Sequence, residues 1–205
     1  MITNWGYTLT GTGTLANLLE IEDFNIFTGG KYDSEQERAQ KEISAASAAI
    51  RNFVGWHLYP AKDCELSTLV LDRRVTPVGS DLLIQLPARL VNSVESVTIG
   101  GVACTDFYCD QNGILRVFNV GAMDRRTQVV IEYNAGLSDD LMSSIQELVA
   151  DRVKHALAVP EGITSEASGG VSVTYNAAWI NNTKATSLMG DNKELLIPYK
   201  VQGVF

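Results

Sequence analysis

Only two histidines, His57 and His155, occur in the 205 residues, and the three cysteines, Cys64, Cys104 and Cys109, form no C-x-x-C pair. A structural zinc site takes four Cys/His ligands at short paired spacings. The sequence offers no such set, so no metal and no other cofactor is expected. An odd number of thiols also fits buried or half-buried cysteines in a reducing compartment better than a disulfide framework. Basic charge is scarce: 16 Lys and Arg stand against 24 Asp and Glu, a formal net charge of −8. Sequence-independent grip on phosphates needs clustered cations, so DNA binding is not expected. Long apolar runs are missing, and none approaches the ~20 residues that cross a bilayer. Residues 1–14 lack the basic-then-apolar pattern of a secretory signal. The expectation is a protein made in the cytoplasm, with no membrane partner.

What is present suffices for a core. Apolar residues make up 45% of the chain and charged ones 20%, a normal globular balance. Residues 1–14 read as an extended arm anchored by Trp5 and Tyr7. Leu15, Leu18, Leu19, Phe24 and Phe27 recur at roughly helical spacing until Gly29-Gly30, a helix-stopping pair. A long helix follows from a cap at Ser34. Ala39, Ile43, Ala46, Ile50 and Phe53 recur every three or four residues, one stripe along ~20 residues that Gly55 ends.

Between Cys64 and Tyr133 the period changes to two. Short runs at Leu69–Leu71, Leu82–Leu86 and Val91–Ile99, with turn signals at Gly100-Gly101 and Asn112-Gly113, predict five or six antiparallel strands. The aromatics here, Phe107, Tyr108, Phe118 and Tyr133, sit at positions compatible with a core. A second helix is predicted from Ser138, with Met142, Ile145, Val149, Val153 and Ala156 as its stripe and Leu141 and Leu148 widening it, ended by Pro160 and Gly162. Residues 164–170 read as a linker, and residues 171–175 as a short strand. The apolar terminus beyond, with Leu195, Leu196, Ile197, Tyr199 and Val201, has little surface of its own to bury against.

Three groups of residues invite a catalytic reading. Cys104 and Cys109 lie near Asp106 and Asp110, but in a hairpin with no histidine close in sequence. His155 follows Asp151 by one helical turn, yet no strained nucleophile accompanies them, and surface pairs at this spacing are common. Thr10-Gly11-Thr12-Gly13 has neither the preceding strand nor the G-K-[ST] of a phosphate loop. Asp139-Asp140 is explained by helix capping without a cation. No catalytic residues are assigned, and no enzyme activity is expected.

The order of these segments resembles the head–tail connector, or adaptor, family of tailed bacteriophages. Four stretches carry the resemblance: Leu18-Leu19-Glu20-Ile21-Glu22-Asp23-Phe24; the helix end Ala45-Ala46-Ser47-Ala48-Ala49-Ile50-Arg51-Asn52-Phe53-Val54-Gly55; Leu86-Pro87 followed by Val91-Asn92-Ser93-Val94-Glu95-Ser96-Val97; and Val130-Ile131-Glu132-Tyr133-Asn134-Ala135-Gly136-Leu137. They span about residues 15–158. Leu90 departs from the family pattern, which has proline there. The resemblance implies an α+β fold: a small helical core of two long helices plus shorter ones (residues 15–60 and 137–159), an antiparallel β insertion (64–135), and a linker with an extended, partner-binding C-terminal tail (161–205). It implies a homo-oligomeric ring of about a dozen copies in the virion neck, between the portal protein and a tail-completion or stopper protein. DNA would pass through without specific binding, and Trp179, Leu195, Leu196, Tyr199 and Val201 are the expected contact residues. The alternative is a phage tail or baseplate binding module, whose β insertion recognises a ligand or host glycan through aromatics exposed on one sheet face.

Overall fold

A computed structural model describes residues 3–10, 14–158, 165–168, 171–174 and 190–201. The chain divides into two compact units, Met1–Ala16, Val54–Leu141 and Tyr199–Phe205 in one, Asn17–Phe53 and Met142–Pro198 in the other.

The first unit is built from strands. β1 (Thr8–Leu9), β2 (Lys62–Leu69), β9 (Gln128–Ala135), β5 (Val91–Ile99) and β6 (Val102–Ala103) form a five-stranded antiparallel sheet in that order. β3 (Val75–Val78), β4 (Asp81–Gln85), β8 (Ile114–Val117) and β7 (Phe107–Cys109) form a four-stranded one. Alternation decides which side of each strand is covered, because successive side chains point to opposite faces. In the larger sheet Leu66, Ile131 and Val97 stand in one cross-strand row, with Cys64 opposite Tyr133 in the next, and all five are buried. In the smaller sheet Val75, Ile84 and Leu115 make the corresponding buried row. Burying one such Leu or Ile contributes about 1.5–3 kcal/mol. Two register shifts in β5, between Val91 and Ser93 and between Val94 and Ser96, bend that strand.

Both turn signals hold. Gly100 and Gly101 carry φ of 58° and 82° between β5 and β6, the left-handed pair that a two-residue hairpin needs. In the β7–β8 turn the Ile114 N–H donates to Asp110 Oδ1 at 2.8 Å.

The second unit holds the helices α1 (Ile21–Thr28), α2 (Gln36–Val54) and α3 (Ser143–Ala158). The α2 stripe behaves as its spacing predicts: Ala39, Ile43, Ala46 and Ile50 are buried and Phe53 half-buried. Arg38 Nη2 donates to the Ala156 carbonyl of α3 at 2.9 Å. α1 is shorter than its apolar spacing suggests. Leu18 and Leu19 are buried in a bend ahead of it, where the Leu18 N–H donates to Ser47 Oγ at 3.0 Å. Its end is as expected: Gly29 is left-handed, and the Gly29 and Gly30 N–H groups donate to Ile26 and Asn25. α3 begins five residues later than predicted, because Asp139–Leu141 form a tight 3-10 turn first. Leu141 is exposed as a result, while Met142, Ile145, Val149 and Val153 are buried. Beyond α3, β10 (Ser165–Ser168) and β11 (Val171–Thr174) pair antiparallel, so four of the seven residues expected as linker are strand.

The expected fold class needs correcting. The strands are not an insertion on a dominant helical core: they form two antiparallel sheets of five and four strands, with few helices beside them. β4, β8 and β9 each bury a complete face, and β2 adds Cys64 and Leu66, so the strands supply a core of their own. No helix among the described residues is long and apolar enough to cross a membrane.

Candidate functional site

The groups with catalytic potential are buried in hydrogen-bonded arrangements or dispersed. His57 is fully buried at the start of the segment that follows α2. Its Nε2 lies 2.9 Å from the Ala135 carbonyl, which only accepts, so Nε2 carries the proton. Nδ1 therefore accepts from the Tyr7 hydroxyl at 2.7 Å, and that hydroxyl in turn accepts the His57 backbone N–H at 3.0 Å. Both ring nitrogens are engaged within the chain. Beside them, burial pushes the Cys64 thiol up to about 12 and holds Tyr133 well above its usual range, with Cys64 and Tyr7 adding to the latter. A thiol so hard to ionise is a poor nucleophile at neutral pH.

Burial likewise raises Cys109, to about 11, with Asp110 contributing, and raises Cys104. All three cysteines are free thiols. Among the described residues no three His, Cys, Asp or Glu side chains are arranged to hold a metal. Asp151 accepts from Lys154 at 3.0 Å, and His155 is exposed. Asp139 accepts from the Tyr59 hydroxyl at 2.8 Å, consistent with a structural part. Gly11, Thr12 and Gly13 lie outside the described residues.

The expected contact residues divide. Trp179 lies outside the described residues. Leu195 is exposed and Leu196 fully buried, both within a 3-10 segment, Gly190–Tyr199. Tyr199 and Val201 are half-buried and tied to their own unit. The Tyr199 carbonyl accepts from Trp56 Nε1 at 2.7 Å, and the Val201 N–H donates to the Val54 carbonyl at 2.9 Å. The Lys200 carbonyl between them accepts from Arg89 at 3.2 Å. The stretch 199–201 thus finds partners of its own through main-chain hydrogen bonds, which apolar patterning does not report.

One sheet face exposes large apolar and aromatic side chains. On the outward side of the four-stranded sheet, Thr76, Leu83, Arg116 and Tyr108 form one row across all four strands, and Gln85 stands opposite Ile114 in another. Leu83, Ile114 and Tyr108 are exposed, Tyr108 by 63%, where a core position was expected. Arg116 lies across this face, bonded to Asp81 through Nη2 at 2.7 Å and Nε at 3.0 Å, with its guanidinium 5.1 Å from the Phe118 ring centre. These Arg116 bonds first, then the Asn119 N–H, hold the Asp81 carboxyl below its usual range. At the Gln85–Ile114 end lies a cavity of about 180 Å³ lined, among the described residues, by Gln85, Arg89, Asn112, Ile114 and Val201. The signal available in the sequence was apolar residues in succession, Leu82-Leu83-Ile84 and Ile114-Leu115, which fill both faces of a strand.

No protein-family model matches this sequence, and no curated protein matches it either.

Proposed function

We propose that the chain is a structural subunit of a tailed-phage virion, a head–tail adaptor that forms a ring with further copies of itself between the portal and a tail-completion protein, around the channel that DNA traverses. The residue pattern shared with that family is the reason for naming the assembly. The observation that carries the reading is where exposed large apolar side chains fall. Ile26 and Phe27 stand on α1, Leu83, Tyr108 and Ile114 on the four-stranded sheet, and Leu195 and Ile197 near the C-terminus, with Leu69, Leu71, Val78, Val102 and Leu141 exposed elsewhere. Unlike patches on one subunit suit heterologous head-to-tail contacts, which close into a ring when the rotation between copies divides a full turn. The acidic excess fits a subunit near a DNA channel, since carboxylates repel phosphates and let the duplex slide. The subunit performs no catalytic step, and its work is done by docking.

Electron microscopy of the purified protein, alone and mixed with the portal protein of the same virus, tests this. The expected result is a closed ring of about a dozen subunits seated on the portal. A protein that stays monomeric in both conditions at high concentration overturns it.

A further inference from the structure

We propose that residues 3–10 form a strap on the five-stranded sheet, latched by Tyr7 onto His57, and that protonation of His57 releases it and uncovers the edge of β2. The inference is independent of the ring reading, because every residue it uses belongs to the first unit. The strap pairs with β2 over only two residues, Thr8 opposite Glu65 and Leu9 opposite Cys64. One further main-chain bond runs from the Thr10 N–H to the Asp63 carbonyl at 2.9 Å. On the other side Gly6, with φ of 84°, turns the chain, and the Thr3 N–H and hydroxyl both donate to the Tyr7 carbonyl, within the strap itself. Tyr7 and Leu9 are its buried anchors on the sheet. Of these Tyr7 supplies the polar hold, its hydroxyl set between His57 Nδ1 and the His57 main-chain N–H.

That latch fits one protonation state of the ring. Neutral His57 donates from Nε2 to the Ala135 carbonyl and accepts the Tyr7 O–H at Nδ1. An imidazolium donates from both nitrogens. Its Nδ1–H points at the Tyr7 oxygen, which already accepts the main-chain N–H, and the Tyr7 proton loses its acceptor. The strap brings no charge, since residues 3–10 contain no Asp, Glu, Lys or Arg. β2 brings the Cys64 thiol and β9 the Tyr133 hydroxyl, both kept protonated by burial. Asp63, Glu65 and Glu132 alternate onto the other face of the sheet and are exposed. Asp139, also exposed, accepts from Tyr59. Lys62 opposite Ala135, and Arg74, which donates to the Trp5 carbonyl at 3.2 Å, carry the same sign as an imidazolium. Tyr133 Oη is in addition buried with no hydrogen bond of good geometry among the described residues, a penalty that water relieves when the strap lifts. Water also solvates the imidazolium then. The proton therefore binds the open form more tightly than the closed one, and acid drives opening.

Hydrogen exchange read by mass spectrometry on the full chain, at pH 7.5 and pH 5.0 and corrected for intrinsic exchange rates, tests this. One proton taken up on opening raises the opening constant up to about tenfold for each pH unit below about 6.5, the ordinary histidine value. The wild type is expected to lose protection about tenfold or more at pH 5.0 in peptides covering residues 3–10 and 62–66, while peptides from β5 and β9 hold theirs. H57Q, which does not titrate, is expected to show the same protection at both pH values, and H155Q to behave as the wild type. Y7F is expected to exchange fast over residues 3–10 already at pH 7.5, with little further change on acidification. Circular dichroism verifies folding; should H57Q fail to fold, the wild type, H155Q and Y7F decide. Equal protection of the wild-type strap at both pH values overturns the proposal. So does a pH response that H155Q abolishes or that Y7F retains in full, and so does an acid-induced loss spread evenly over β5 and β9, which is global unfolding instead of release of the strap.

Discussion

The Tyr7 hydroxyl lies 2.7 Å from His57 Nδ1 and accepts the His57 backbone N–H at 3.0 Å, so two residues fifty positions apart share two hydrogen bonds in a buried setting. Removing the hydroxyl leaves a ring nitrogen and an amide without their partner, each costing about 1–3 kcal/mol. Tyr7→Phe is therefore expected to lower the unfolding free energy by about 2–4 kcal/mol, and to free the N-terminal arm that carries β1. Urea denaturation measures the first effect and limited proteolysis near residue 10 the second. An unchanged midpoint would show that water takes over the hydroxyl's place.

Leu90 adopts φ of 55°, donates its N–H to the Gln111 carbonyl at 2.8 Å, and accepts the Gly136 N–H at 3.3 Å. A proline ring fixes φ near −65° and has no N–H to give. The backbone at this position therefore excludes proline. Leu90→Pro is expected to cost about 3 kcal/mol or more, while Leu90→Gly, which relieves a left-handed strain of about 1–2 kcal/mol and gives up a half-buried side chain, stays near the wild type. Comparable denaturation midpoints for the two variants would contradict the observed backbone.

Gly113 and Gly29 both carry positive φ, 80° and 60°, yet their surroundings differ. A Cβ on Gly113 collides with the Ala88 carbonyl oxygen, whereas one on Gly29 meets open space. Gly29→Ala should cost only the left-handed strain, about 1–2 kcal/mol. Gly113→Ala should cost clearly more, because the β7–β8 turn must shift as well. Equal shifts in thermal midpoint would mean that Ala88 moves aside freely.

Alkaline pH should weaken the fold. Cys64, with a folded value near 12, and Cys109, near 11, keep their protons above the ordinary 9.0 of an unfolded thiol. Below pH 9 both states are protonated and nothing is lost. Between about 9 and 12 the unfolded chain releases protons that the folded chain retains, so unfolding gains ground. Stability measured from pH 8 to 11 should fall, and fall less steeply in Cys64→Ala. At pH 8 a thiol reagent should modify half-exposed Cys104 well before Cys64. Rapid uniform labelling of all three would show that the Cys64 site opens easily.

Much of the fold could be read from local pattern. The stripe from Ala39 to Ile50 located α2 within a few residues, and Gly100-Gly101 and Asn112-Gly113 marked real hairpin turns. β2 was harder to see: Lys62–Leu69 contains only two buried residues, Cys64 and Leu66, and its strand character comes from pairing with β9 sixty residues away. β3 was missed for a similar reason, since Val75 is its one buried residue. The candidate surface was the least legible. Leu83 and Tyr108 look like core residues in sequence, and only their register with Arg116 puts them on the outward side.

The sequence by itself determined the periodicities: where the chain coils, where it alternates, and where a glycine must turn it. Those depend on neighbours a few residues apart. Tertiary structure decided that the strands close two sheets instead of decorating a helical core, that His57 meets Tyr7, and that Leu83, Tyr108 and Ile114 remain open. Each is settled by which distant strand supplies the partner, and a one-residue change of register turns every side chain of a strand to the other face.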